Sequence, residues 1–147
     1  METGLQFEAV TSQSRYAKGR DVVVRVFLFN FGEDPITVNS RLALNAFGLP
    51  GEVSFHLAGP SGRPVPFVAK VNVGEPHAED FSTIAPWHCV GRQYELDSYF
   101  RITRPGQYRL TATYRNETPE GGARWKAWTG TLRSNTIEFA VGRKGTE

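Results

Sequence analysis

The chain has 147 residues and a mass of 16.4 kDa, which is the size of one domain. Hydrophobic residues make up 39% and charged residues 22%, a composition typical of a globular chain that buries a core without a metal or a disulfide. The net charge of +2 is too small to indicate nucleic-acid binding by itself, and the composition excludes a membrane span, a coiled coil and a collagen.

Apolar and polar residues alternate along most of the chain with the period of β-strands. The alternation predicts strands, in chain order, over residues 5–10, 21–31, 36–44, 53–58, 65–73, 90–100, 108–115 and 137–141. Both faces of the segment 21–31 are largely apolar, which indicates a central strand. The Gly- and Pro-rich turn at 59–64 predicts a hairpin between the strands on either side of it.

Short strands between turns predict an all-β domain over residues 5–142. Its architecture is an antiparallel immunoglobulin-like β-sandwich of about eight strands in two sheets, and a single cysteine excludes an intramolecular disulfide. Residues 1–4 and 143–147 are interpreted as cloning-derived or disordered ends. Tyr108 follows Gly106 at the entry to a late strand, which is typical of a tyrosine corner, whose phenol bonds the backbone a few residues upstream.

Three segments carry a family resemblance: Val24–Asn30 with Asp34–Ile36, Pro105–Leu110, and Trp128–Leu132 with Ser134–Asn135. In them the chain resembles a group of bacterial immunoglobulin-like domains. It is similar to the β-sandwich domain that precedes the catalytic domain in deuterolysin-type (aspzincin) metalloproteases, and more distantly to small sandwich inhibitors of bacterial proteases. The zinc-binding His-Glu-x-x-His of that catalytic domain is absent, so the resemblance implies a protease-associated accessory module and carries over no active-site residue.

Few residues in the sequence could bind a metal or act in catalysis, and their spacing matches no known motif. His77, His88 and Cys89, with Glu79 or Asp80, are acceptable zinc-ligand types, but their spacing is not that of a known zinc motif. No phosphate-binding or nucleophile-elbow motif is present. We therefore predict no catalytic residue, metal ligand or cofactor, and a small metal- or thiol-dependent hydrolase at the loop from His77 to Cys89 stays as the alternative.

Aromatic and apolar residues in predicted loops are the more informative feature, because loops lie at the surface and Trp is frequent in binding interfaces. The predicted binding residues are Phe47, Leu49, Trp87, Trp125 and Trp128. Such residues either contact a partner or plug the open ends of a sandwich, and Trp128 is the first choice as a plug. Carbohydrate binding through exposed Trp is a further alternative.

The expected partner is a protein or peptide, with no nucleic acid and no membrane span. Arg residues near aromatics, such as Arg109 and Arg115, are interpreted as a solvated strand face. An exported or extracellular location is slightly favoured over a cytoplasmic one, although the chain carries no leader. The sequon Asn116-Glu117-Thr118 leaves glycosylation of Asn116 open, and the oligomeric state is not predicted.

Overall fold

A computed structural model describes residues 4–44, 51–68, 76–117 and 126–142. Within these ranges every regular element is a β-strand or a three-residue 3₁₀ helix, so the predicted all-β class is confirmed. The strands are β1 (Leu5–Thr11), β2 (Arg15–Tyr16), β3 (Val23–Asn30), β4 (Ile36–Asn39), β5 (Val53–Ala58), β6 (Phe81–Ile84), β7 (Cys89–Glu95), β8 (Gly106–Asn116) and β9 (Gly130–Val141). The 3₁₀ helices span Gly19–Asp21, Ala78–Asp80 and Leu96–Ser98.

The described strands form two main sheets and one short ribbon. The first sheet is antiparallel with the order β1-β3-β7, and the second has the order β2-β9-β8-β5, in which only β2 runs parallel to its neighbour. β4 and β6 make a separate antiparallel ribbon. β4 lies within the strand predicted over 36–44, whereas β2 and β6 were not predicted, because strands of two to four residues are too short for a periodic signal. The separate ribbon is an addition to the two predicted sheets.

Alternating apolar residues bury the facing surfaces of the two main sheets. Val24, Val26 and Leu28 of β3 are fully buried on one side, as is Leu110 of β8 on the other. Aromatic rings meet across the interior, with the ring centroids of Phe7 and Tyr114 5.8 Å apart. Two sheets packed face to face in this way form a β-sandwich.

The predicted return strand over 65–73 is largely wrong within the residues that can be described. The turn itself is present, since the Gly59 amide donates to the Arg63 carbonyl at 2.8 Å. Beyond it only single bridges form, at Pro64 and Phe67. Pro64 and Pro66 have no amide hydrogen to donate to a ladder, which explains why the pairing does not continue. Residues 69–75 lie outside the described ranges.

Two further predicted strands are shorter than expected. The strand predicted over 36–44 ends at Asn39, and that over 90–100 ends at Glu95, where the 3₁₀ helix Leu96–Ser98 follows. Periodicity identified where these strands lie better than where they end.

The predicted tyrosine corner is confirmed by its hydrogen bond. The Tyr108 hydroxyl donates to the Arg104 carbonyl at 2.6 Å, four residues upstream. The bond lies where the chain passes from β7 in the first sheet to β8 in the second. Tyr108 therefore ties down a connection between the two sheets.

Ser134 and Asn135 fill an irregularity in the pairing of β8 with β9. The Ser134 hydroxyl accepts from the Ala112 amide at 2.8 Å, where the register shifts. The Asn135 side chain bonds both the amide and the carbonyl of Ala9 in β1, each at 3.0 Å. One side chain thus pairs with the outer edge of β1 and joins the two sheets along that side.

Buried phenols should make the fold sensitive to alkali. Burial raises the pKa of Tyr94 and of Tyr114 above the ordinary 10.0. Unfolded phenols lose their protons near pH 10 while the folded ones keep them, so stability is complete below that pH and falls as the pH rises above it. We expect urea unfolding at pH 8 and pH 11 to show a loss of up to about 1.4 kcal/mol per pH unit for each tyrosine, reduced by Tyr94→Phe. Equal stability at the two pH values would contradict this.

Candidate functional site

A row of aromatic side chains crosses the outer face of the three-stranded sheet. We call Phe27, Phe29, Phe31 and Trp87 the aromatic row. The rings of Phe29 and Phe31 stack with centroids 4.2 Å apart, and Trp87 stands edge-on to Phe31 at 5.7 Å. Trp87 is 66% exposed and Phe31 37% exposed. Phe29, Phe31 and Trp87 therefore form one continuous aromatic surface, which is exposed at Phe31 and Trp87.

The first part of the row follows from the two-residue period of β3. Phe27 and Phe29 alternate with the buried Val26 and Leu28, so both point away from the core. The partner of Phe27 on β7 is Gly91, and a Cβ atom at Gly91 would come within 2.7 Å of the Phe27 ring. The missing side chain at Gly91 gives the Phe27 ring room to lie across β7.

The outer face of the other sheet has a different character. There the hydroxyls of Thr111 and Thr136 bond across β8 and β9 at 3.1 Å, and Arg109 pairs with Glu138 at 2.9 Å. Threonines and paired charges suit contact with water. Of the two outer faces, only the one formed by β1, β3 and β7 carries the aromatic row, which makes this face the candidate binding surface.

Trp87 occupies a backbone conformation that large residues rarely adopt. Its φ is +67°, and the His88 amide donates to the Ala85 carbonyl at 3.0 Å across it. With Pro86 at the second position, this is a type II turn, whose third position favours glycine. A tryptophan there costs on the order of 1–2 kcal/mol in backbone strain. Strain held at an exposed aromatic residue points to a use for the ring outside the fold.

Asn30 forms hydrogen bonds to both of the segments that carry the exposed rings, the loop after Phe31 and the turn at Trp87. Its side chain is fully buried, donates to the carbonyls of Asp34 and Ile84 at 2.9 Å each, and accepts from the Gly32 amide at 2.8 Å. Its own carbonyl accepts from the Trp87 amide at 2.7 Å. Asn30 therefore links the loop that begins at Phe31 to the turn that carries Trp87.

Of the five predicted binding residues, two can be placed. Trp87 lies on the surface, as described above. Trp128 is half-buried and packs against the core, its ring centroid 6.0 Å from that of Tyr114, which is the arrangement expected of a plug. Phe47, Leu49 and Trp125 lie outside the described residues.

A buried polar network surrounds the carboxylate of Glu52, just before β5. The Glu52 carboxylate is 4% exposed and accepts from Arg41 at 3.1 and 2.8 Å, from Asn39 at 3.0 Å and from the Ala43 amide at 3.0 Å. The Tyr114 hydroxyl donates to the Asn39 carbonyl at 3.0 Å. These bonds join groups within the fold, so the network is a structural support.

Asn116, the acceptor of the sequon, belongs to the same buried region. Its side chain is 3% exposed and donates to the Trp128 carbonyl at 2.8 Å. A glycan on this amide nitrogen would need the bond broken and the side chain turned outward. The sequon is therefore read as a structural asparagine in the folded chain.

The described residues offer no metal-binding cluster for the alternative hydrolase. Among the residues that the structure describes, no three His, Cys, Asp or Glu side chains lie close enough to hold a metal ion, and His77, His88 and Cys89 are all described. Asp80 instead accepts from the His77 amide at 2.7 Å. A cleft of about 380 Å³ at the far end of the sandwich is lined by residues such as Lys18, Asp97 and Thr103, and by no His or Cys.

Sequence reasoning missed Phe27, Phe29, Phe31 and Asn30. The apolar outer face of 21–31 was interpreted only as a sign of a central strand, and β3 is indeed central in its sheet. The available signal was the spacing of three phenylalanines two residues apart, which places them on one face. Nothing in the sequence indicated that this face stays uncovered.

Comparisons with known proteins identify no family. No protein-family model matches the chain, and no curated protein sequence matches it. Among solved structures it is similar to a beta-glucosidase from Listeria innocua in complex with glucose, at 15% identity and a TM-score of 0.40. That match covers 96% of this chain and 16% of the enzyme's chain.

The described part of the chain also contains no helix that is long and apolar enough to span a membrane.

Proposed function

We propose that this chain is a non-enzymatic binding module that recognises a protein or peptide through the aromatic row. The observation that carries the proposal is Trp87, an exposed side chain held in a strained turn beside two stacked phenylalanines. Exposed aromatic clusters on soluble proteins are commonly interaction sites, and aromatic anchors dominate binding energy in many interfaces.

The arrangement of the rings favours a peptide over a sugar. A pyranose stacks on the open face of an aromatic ring, and a flat sugar-binding surface needs such faces side by side. Here Phe29 and Phe31 cover each other at an interplanar angle of 17°, and Trp87 stands at 89° to Phe31. The row offers ring edges and the angle between Phe31 and Trp87, against which apolar side chains of a peptide can pack.

The same proposal includes the class of partner and the kind of protein that the module serves. The two-sheet sandwich and the tyrosine corner support an immunoglobulin-like, accessory role of the kind that the resemblance to aspzincin proteases implies. A bacterial protease domain is therefore the first folded protein to test as a ligand. Carbohydrate binding at Trp87 is the competing outcome.

Replacing Trp87 with glycine should separate binding from stability. Glycine relieves the positive φ, while the lost edge contact with Phe31 costs about 0.5–1.5 kcal/mol. The two effects offset, so we expect the free energy of unfolding to stay within about 1 kcal/mol of the parent. Binding of peptides selected on the parent from a phage-displayed random 12-residue library should be lost.

Trp128→Ala provides the matched control. Its ring packs against the core, so the substitution should lower the melting temperature, and the folded fraction should keep its peptide binding. The proposal fails if Trp87→Gly retains the selected peptides, or if a glycan array detects sugar binding that requires Trp87.

A further inference from the structure

Four carboxylates lie on the face of the aromatic row or in the loop after Phe31, and none forms an ion pair with another described residue. Glu8 lies directly opposite Phe27 on β1, and Glu33 and Asp34 follow Phe31 in the same loop. Glu95 lies further along the same face, at the end of β7. All four are exposed. The ion pairs within the described chain join Arg41 to Glu52, Arg109 to Glu138 and Arg115 to Glu117, so none of the four is paired.

Positive charge on this face is scarce. Arg25 is the positively charged residue on the outer face of β3, and its Nε donates to the Gln93 side-chain oxygen at 2.9 Å. The acids of the opposite sheet, Glu117 and Glu138, each pair with an arginine. The local balance is thus negative beside the aromatic row, although the whole chain has a net charge of +2.

We propose that the partner segment is basic as well as apolar, with lysine or arginine side chains set between the apolar residues that pack on the aromatic row. This rests on the proposed function and names the chemistry of its ligand. Free carboxylates beside a binding face attract cationic side chains and repel anionic ones, so they select the partner more than they add affinity.

The test uses two matched peptide libraries displayed on phage. Both have the same random apolar and aromatic positions, and the intervening positions hold Lys or Arg in one library and Asp or Glu in the other. The whole-chain charge of +2 would draw the acidic library, whereas the binding face should retain the basic one. We expect enrichment of the basic library alone, lost with Trp87→Gly.

Charge variants then locate the effect. Glu8→Gln and Glu33→Gln should each weaken binding of an enriched basic peptide about two- to fivefold, as expected for exposed ion pairs. Glu138→Gln on the opposite sheet is the matched control and should leave binding unchanged.

The outcomes distinguish this inference from the proposed function. Equal enrichment of both libraries, dependent on Trp87, would overturn the basic partner and leave the peptide-binding module standing. The same holds if the acidic library is preferred, or if the Glu8 and Glu33 variants bind as the parent does. Failure of both libraries to show binding that depends on Trp87 would overturn the proposed function itself.

Discussion

Replacing Glu52 with alanine is expected to lower the free energy of unfolding by about 3–5 kcal/mol, measured by urea denaturation. The substitution leaves the guanidinium of Arg41 without its carboxylate in a site where that side chain is 17% exposed. It also removes the acceptor for Asn39 and for the Ala43 amide. Water can reach part of Arg41, so the loss should fall near the lower value.

An exposed ion pair supplies the control for this result. Arg109 and Glu138 meet at 2.9 Å, almost the same distance as in the buried pair, but their side chains are 66% and 50% exposed. Glu138→Gln should therefore cost at most about 1 kcal/mol, because water already screens the interaction. Similar losses for the two variants would show that burial is not what makes the Glu52 network important.

Replacing Asn30 with alanine should affect both stability and binding. The variant loses three hydrogen bonds and leaves the Ile84 carbonyl and the Gly32 amide without their partner, at a cost of about 2–4 kcal/mol. Because the same side chain holds the loop at Phe31 and adjoins the turn of Trp87, the folded fraction should also bind the selected peptides more weakly. Urea denaturation and peptide titration on the same samples measure the two effects.

Two variants make the Asn30 result interpretable. Asn30→Asp keeps the acceptor for the Gly32 amide but sets a carboxylate oxygen against the carbonyls of Asp34 and Ile84 in a fully buried site, so it should be at least as unstable as the alanine variant. Asn135→Ala removes two backbone bonds to Ala9 on the side of β1 that faces β9, away from the aromatic row, so it should destabilise the fold without weakening binding by the folded protein. If Asn30→Ala binds peptide as Asn135→Ala does, Asn30 is a structural residue only.

The Asn30, Trp87 and Trp128 variants together distinguish three roles on one end of the sandwich. Trp87 exposes its ring at the surface, and its backbone is strained by the positive φ. Asn30 positions that surface from within, and Trp128 packs against the core beside Tyr114. Only the first should change binding without changing stability.

Much of the fold could be predicted from the amino-acid sequence alone. The two-residue alternation in β1, β3, β5 and β8 is strong because one face of each strand is buried, and a buried face excludes polar residues at every second position. The tyrosine corner was also predictable, since its hydrogen bond is local and spans only four residues. Strand ends, the pairing of β4 with β6 and the short strands β2 and β6 were not, because they depend on partners far away in the sequence.

The candidate site depended on the tertiary structure. Composition and spacing indicated that aromatic residues outside the core would matter, and Trp87 was among those predicted. They could not indicate that no described strand packs on the outer face of β3, because an apolar face looks the same in sequence whether another sheet or solvent lies against it. Packing alone decides which apolar face is buried, and here it leaves Phe29, Phe31 and Trp87 together at the surface.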